Sequence, residues 1–148
     1  MDRGAAVLLT ACTGGFVALQ APVNSVLGRA VGTWQAAFLS FAIGTVALAC
    51  IAALASGGLG QIAGVRHVSW YYLTGGLLGA AYVTSILVTV RTLGAGGIVA
   101  ATIAGQLAIS VVVDHFGLVG VARQPITLAK VFGVVLLGIG TYLVVREK

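Results

Sequence analysis

The chain has 148 residues, 59% of them hydrophobic and only 7% charged, with a formal net charge of +5 and a mean hydropathy of +1.11. A soluble domain carries about 25% charged residues, so this composition excludes one and implies an all-α integral membrane protein, a single transmembrane domain over 1–148. The Lys and Arg residues are scattered between apolar segments without the basic cluster nucleic acid requires, and Cys12 and Cys50 lie inside apolar runs, so no nucleic-acid partner, disulfide framework, metal site or cofactor is expected.

A crossing takes roughly 20 apolar residues, and the apolar segments predict five transmembrane helices, at about 4–27, 34–55, 70–90, 97–116 and 129–145. The first helix carries Gln20, Pro22 and Asn24 in its second half, and polar groups at such depth usually face protein or a watery cavity. At helical spacing Thr13, Val17, Gln20 and Asn24 share one stripe, beside a flat face of Ala11, Gly15, Ala18, Pro22 and Ser25 suited to close helix contact. Gly14 and Gly15 mark the place where the first helices of two copies would cross. Pro22 has no N–H and leaves the carbonyl of Ala18 without its helical partner, which predicts a kink. Gly28 is expected to end this helix, with Arg29 on the last carbonyls. Leu9-Thr10-Ala11-Cys12 has the look of a lipoprotein cleavage box. A signal sequence needs about 7 to 15 apolar residues before its cut, however, and only Gly4 to Leu8 precede this one.

The second helix begins with Trp34 at headgroup level and breaks at Ser56-Gly57-Gly58-Leu59-Gly60, after which Arg66 and His67 mark a polar connection. The third opens with the aromatic belt Trp70-Tyr71-Tyr72 and carries a GxxxG pair, Gly75 and Gly79, read as helix packing. Tyr82, Ser85 and Thr89 share a stripe on it, and Arg91 lies just beyond. Leu93 to Gly97 is a turn able to reverse the chain. The fourth helix has Thr102, Gln106 and Ser110 four residues apart, with Asp114 and His115 at its end. The fifth has Thr141 and Tyr142 as its polar groups, so scaffold or dimer contact is expected of it.

Gln20, Asn24 and Gln106 are neutral, multivalent hydrogen-bonding groups inside the membrane. With Thr13, Tyr82, Ser85 and Ser110 they make a candidate substrate pathway; the competing role is hydrogen bonding between helices. Asp114 is either an interfacial carboxylate paired with His115 or a nearby arginine, or a proton or ion switch with His115. Arg29 or Arg91 at the mouth would favour an anion, and otherwise the pathway suits a small neutral or amphipathic molecule. The arrangements of acids, bases and nucleophiles that hydrolysis or group transfer needs are missing where water reaches, so an enzyme is not expected.

Five crossings place the termini on opposite faces. Arg3, Arg66, Arg123 and Lys130 then fall on one face and Arg29, Arg91, Arg146 and Lys148 on the other, which gives the positive-inside rule no bias to act on. Copies inserted both ways would pair as an antiparallel homodimer. Ten helices in an inverted repeat would result, the plan of many secondary transporters; a single fixed orientation is the alternative.

In Gly15, Gln20, Pro22, Asn24, Leu27-Gly28-Arg29 and Gly32, then Ala36, Ser40-Phe41, Gly44-Thr45, Tyr82, Arg91-Thr92-Leu93-Gly94, Ala104-Gly105-Gln106 and Asp114-His115-Phe116-Gly117-Leu118, the chain resembles the YdcZ-type proteins. That family is assigned to bacterial inner-membrane export, without a known substrate, in the drug/metabolite transporter superfamily. The resemblance spans nearly the whole chain and implies a five-helix half-transporter working as a pair or a fused duplicate. Small multidrug resistance proteins of the superfamily exchange protons for cations at a glutamate in helix 1; this helix 1 has no acidic residue and departs from that pattern. A small dual-topology ion channel and a non-transporting subunit that needs a second chain are the alternatives to a transporter.

Overall fold

The computed structural model describes residues 2–146, and every regular element among them is helical. In chain order these are α1 (Arg3–Val31), α2 (Thr33–Ala55), two short 3₁₀ segments (Gly60–His67 and Trp70–Thr74), α3 (Gly75–Phe116), a 3₁₀ turn (Leu118–Gly120) and α4 (Leu128–Arg146). Lys148, counted above among the positive charges, lies outside the described residues.

Helix α3 spans 42 residues, which at 1.5 Å per residue is about 63 Å, twice the hydrocarbon thickness of a bilayer. It is broken at Gly94, whose φ of 67° and ψ of 172° no helix contains. The break leaves one arm of residues 75–93 and another of 95–116, each long enough to cross. With α1, α2 and α4, also long and apolar enough to cross, five helical segments among the described residues have the length of a crossing. A single glycine in the left-handed region does here what the sequence suggested for the whole stretch from Leu93 to Gly97.

Two boundaries differ from the expectation. Helix α1 does not stop at Gly28 but continues to Val31, and the break falls at Gly32, where φ is 97°. The backbone angle requires glycine there, and a Cβ would stand 2.6 Å from the side-chain oxygen of the exposed Gln35, which would have to swing aside. Helix α1 also runs on past Pro22 with helical backbone. The belt Trp70-Tyr71-Tyr72 forms a 3₁₀ lead-in, with the two tyrosine rings 4.4 Å apart, and the α-helix starts only at Gly75.

Packing divides the chain into two units, residues 19–88 and residues 1–18 with 89–148. The first holds the compact apolar cluster. Ala36 and Ala37 of α2 meet Val83 and Leu87 of α3, with Leu27 and Tyr82 packed alongside. Small residues make this approach possible: the position of a Cβ on Gly28 lies 3.7 Å from Ala36 Cβ and 3.8 Å from Leu87 Cδ2. Gly28 is thus a packing residue, not a cap. The same role falls to Gly79, which faces the ring of Phe41, while its expected companion Gly75 has nothing within 4 Å.

In the second unit, α4 lies against the second arm of α3. A Cβ on Gly97 would stand 3.5 Å from Val145 Cγ2, and the Thr141 hydroxyl donates to the Ala100 carbonyl at 2.9 Å. Contacts pairing 97 with 145 and 100 with 141 run the two segments antiparallel. No residue of α4 is buried.

Candidate functional site

Hydroxyls in apolar helices have a ready partner in the carbonyl one turn back, and the candidate hydroxyls use it. Thr13 donates to the carbonyls of Leu9 and Thr10, both at 3.0 Å, Ser85 to Ala81 at 2.8 Å and Ser110 to Leu107 at 3.0 Å. Tyr82 leans on the apolar cluster of its own unit.

The three amides divide. Asn24 is 6% exposed, and its Nδ2 donates to Ser40 Oγ of α2 at 3.2 Å. Ser40 entered the sequence reading only within the motif Ser40-Phe41, as part of the family resemblance, with no contact assigned to it. Gln20 and Gln106, by contrast, are exposed, and among the described residues neither side chain has a hydrogen-bond partner. Gln20 lies about 4.5 Å of helix rise past the middle of α1, and Gln106 falls at the middle of the 95–116 arm. Both therefore present an amide at hydrocarbon depth.

Each outward-facing region carries a groove. One, of about 490 Å³, runs over the second arm of α3 and is lined by Gly105, Gln106, Ile109, Ser110 and Val113. The other, of about 820 Å³, is walled by the first half of α1, from Arg3 and Ala6 through Thr10, Ala11, Gly14 and Gly15 to Ala18, together with Val99 and Ile103. Gly14 and Gly15 have open space where a Cβ would point, so the protomer itself supplies no helix to the crossing point the sequence suggested. Thr10 turns its hydroxyl to the Ala6 carbonyl at 2.8 Å, which leaves Arg3 as the polar group at the groove's end. The lower half of this wall, from Arg3 to Thr10, was missed because those residues sit ahead of the glycines on which the reading of the face rested. Within residues 19–88 a third, smaller groove of about 320 Å³ is lined by Trp34, Ala37, Phe38, Phe41, Ala80 and Thr84.

Among the described residues Asp114 forms no ion pair with His115, Arg29 or Arg91. The end of the 95–116 arm is tied through its backbone instead: the Asp114 carbonyl accepts from Gln124 N at 2.8 Å, and the His115 carbonyl from Arg123 Nε at 3.0 Å. Among the described residues no group of three or more His, Cys, Asp or Glu side chains is placed to hold a metal ion.

A family model described as "Putative inner membrane exporter, YdcZ" matches residues 5–143. No curated protein and no solved structure is detectably similar to the chain. The match covers nearly the whole length, so the chain belongs to this family, and it is an inner-membrane protein of a transporter class.

Proposed function

We propose that, as a member of that exporter family, this chain is half of a small-molecule transporter: two oppositely inserted copies pair into a ten-helix inverted repeat and move a small neutral or amphipathic metabolite by alternating access. The observation that carries the reading is the pair of bare amides, Gln20 and Gln106. Hydrocarbon offers them no hydrogen bond, and an unpartnered amide in an apolar medium costs roughly 2–7 kcal/mol. A second copy, a water-filled vestibule or a bound substrate removes that cost, and a cavity between protomers supplies all three.

Three further features support it. The groove along α1 is open at Gly14 and Gly15, where a partner helix could approach closely. An odd number of crossings means that a simple tandem fusion of two such units is automatically inverted, the same relation as between two oppositely inserted copies. The walls on offer are small and apolar with scattered amides, and Asp114 is the one carboxylate of the spanning segments, at the end of its arm. That suits a ligand recognised by hydrogen bonds and apolar contact more than by charge.

The test has two parts. Purified protein is screened for thermal stabilisation across metabolite classes, since binding to the folded state raises stability by mass action. A hit is then followed into liposomes, where flux should saturate and should be lost in Gln20→Leu and Gln106→Leu. Unchanged flux in both variants, or non-saturating flux at channel rates, would overturn the alternating-access reading. For orientation, Gln124→Cys, which leaves the charge balance unchanged, in a background with Cys12 and Cys50 replaced by Ala is labelled with a membrane-impermeant maleimide. Two orientations give about half-labelling from each side, and complete labelling from one side excludes them.

A further inference from the structure

The connection between α3 and α4 is not a slack loop. Gly117 turns out of the helix in the left-handed region at φ 63°, and Val119 follows at φ 58°, a conformation a β-branched residue keeps only where surrounding contacts hold it. Val121 N–H closes the turn on the Leu118 carbonyl at 3.2 Å, and further contacts return to the last turn of the 95–116 arm. Gln124 N–H bonds the Asp114 carbonyl, Arg123 Nε–H bonds the His115 carbonyl, and Ile126 N–H bonds the imidazole Nδ1 of His115 at 3.3 Å. Beyond them Lys130 donates from Nζ to the Pro125 carbonyl at 3.4 Å and from its N–H to Thr127 Oγ1 at 3.3 Å, so the end of the connection is also the start of α4.

We propose that residues 117–127 form a strap latched by His115, held while the imidazole is neutral and released when the ring takes up a proton. Of the four bonds to the helix end, including Gly117 N–H to the Asp114 carbonyl at 3.3 Å, three go to backbone carbonyls, which do not titrate. The fourth needs a lone pair on Nδ1, so the neutral ring carries its proton on Nε2. Protonation puts an N–H on Nδ1 facing the Ile126 N–H, and donor then meets donor. The charged groups of the same connection are Arg123, whose Nε bonds the His115 carbonyl, and Lys130, whose Nζ bonds the Pro125 carbonyl, with Asp114, the preceding residue on its own helix, as the opposing charge; the Phe116 ring packs edge-on with ring centroids 4.9 Å apart. The hold is therefore present while the ring is neutral and lost when it takes up a proton. If the two orientations proposed above occur, one latch faces each side of the membrane and a pH difference releases one strap alone. That consequence rests on the pairing, whereas the latch belongs to the single chain.

The experiment is amide hydrogen exchange on the full chain in lipid nanodiscs, expressed as protection factors so that the intrinsic pH dependence of exchange divides out. Protection at Ile126 should fall about five- to tenfold from pH 8 to pH 5, the loss expected for one hydrogen bond, and Gln124 should follow if the strap opens as a unit. His115→Asn keeps an acceptor near the Nδ1 position but does not titrate, and its profile should be flat. Wild-type protection at Ile126 independent of pH, or an equal fall in H115N, would overturn the latch. Should the variant fail to fold, the wild-type chain still decides: the midpoint of protection loss must coincide with the titration of the His115 ring followed by its carbon shifts, and a mismatch sinks the proposal. Because nothing in this readout involves flux or pairing, a failed transporter reading leaves it standing.

Discussion

Residues 19–88 satisfy themselves, whereas residues 1–18 with 89–148 do not. In the first region Ala36, Ala37, Val83 and Leu87 are buried in mutual contact, Gly28 and Gly79 let helices close, and the buried amide Asn24 finds Ser40. In the second, the buried residues among those described are Val90, Gly97 and Ile98, α4 buries none, and two grooves lie open. Polar chemistry follows that line only in part: in the first region Asn24 is tied but Gln20 at its edge stands bare, as Gln106 does in the second. A membrane protein has no hydrophobic drive to hide apolar surface from lipid, so exposed Leu and Val mean little here. An exposed amide at hydrocarbon depth does carry meaning, because lipid cannot replace its lost hydrogen bonds. One region is closely packed, and the other is the one left open for the pairing and the substrate proposed above.

The contrast breaks most sharply if substitutions in the two regions have the same effect. Gln106→Leu is expected to cut flux at least about tenfold, the scale of a lost binding group at 1.4 kcal/mol or more. Thermal unfolding of the protomer should stay unchanged or rise, since the change removes a bare amide. Ala36→Leu should do the reverse to the protomer: overpacking a fully enclosed position costs about 1–3 kcal/mol, read as earlier unfolding in detergent. Gly32→Ala comes next, at roughly 1–2 kcal/mol, from a forced left-handed φ and the clash with Gln35. Gly28→Ala, where the neighbours stand at 3.7 Å or more, should fold nearly normally and so separates conformational demand from close packing. The smallest effect belongs to Ser40→Ala. An interhelical hydrogen bond within a membrane is worth about 0.6 kcal/mol on average, so unfolding should shift only slightly and flux should persist. A large loss of flux in S40A would move Asn24 from scaffold to pathway and blur the two regions.

Much of the candidate site was open to reading from residue types alone. Gln20 and Gln106 stood out because an amide within an apolar run is conspicuous whatever surrounds it, and the small-residue face through Ala11, Gly15 and Ala18 does line the larger groove. The hydroxyls were equally conspicuous, yet their use was undecided: Thr13, Ser85 and Ser110 each have a backbone carbonyl within reach on their own helix, and a stripe on a helical wheel does not say which way a rotamer turns. Asn24 and Gln20 are four residues apart on one stripe, and only the neighbour that arrives at Asn24, Ser40 of α2, distinguishes them.

From its sequence alone the chain is a membrane protein of five spanning segments and a member of an exporter family, because partition into lipid depends on local composition and length and needs no contact partner. Which glycine turns the chain and which one packs, which amide is tied and which is left bare, and how the connection before α4 is pinned to His115 were decided by tertiary structure. Each of those depends on a group supplied by residues distant in sequence or by a backbone angle, and neither is written in hydropathy.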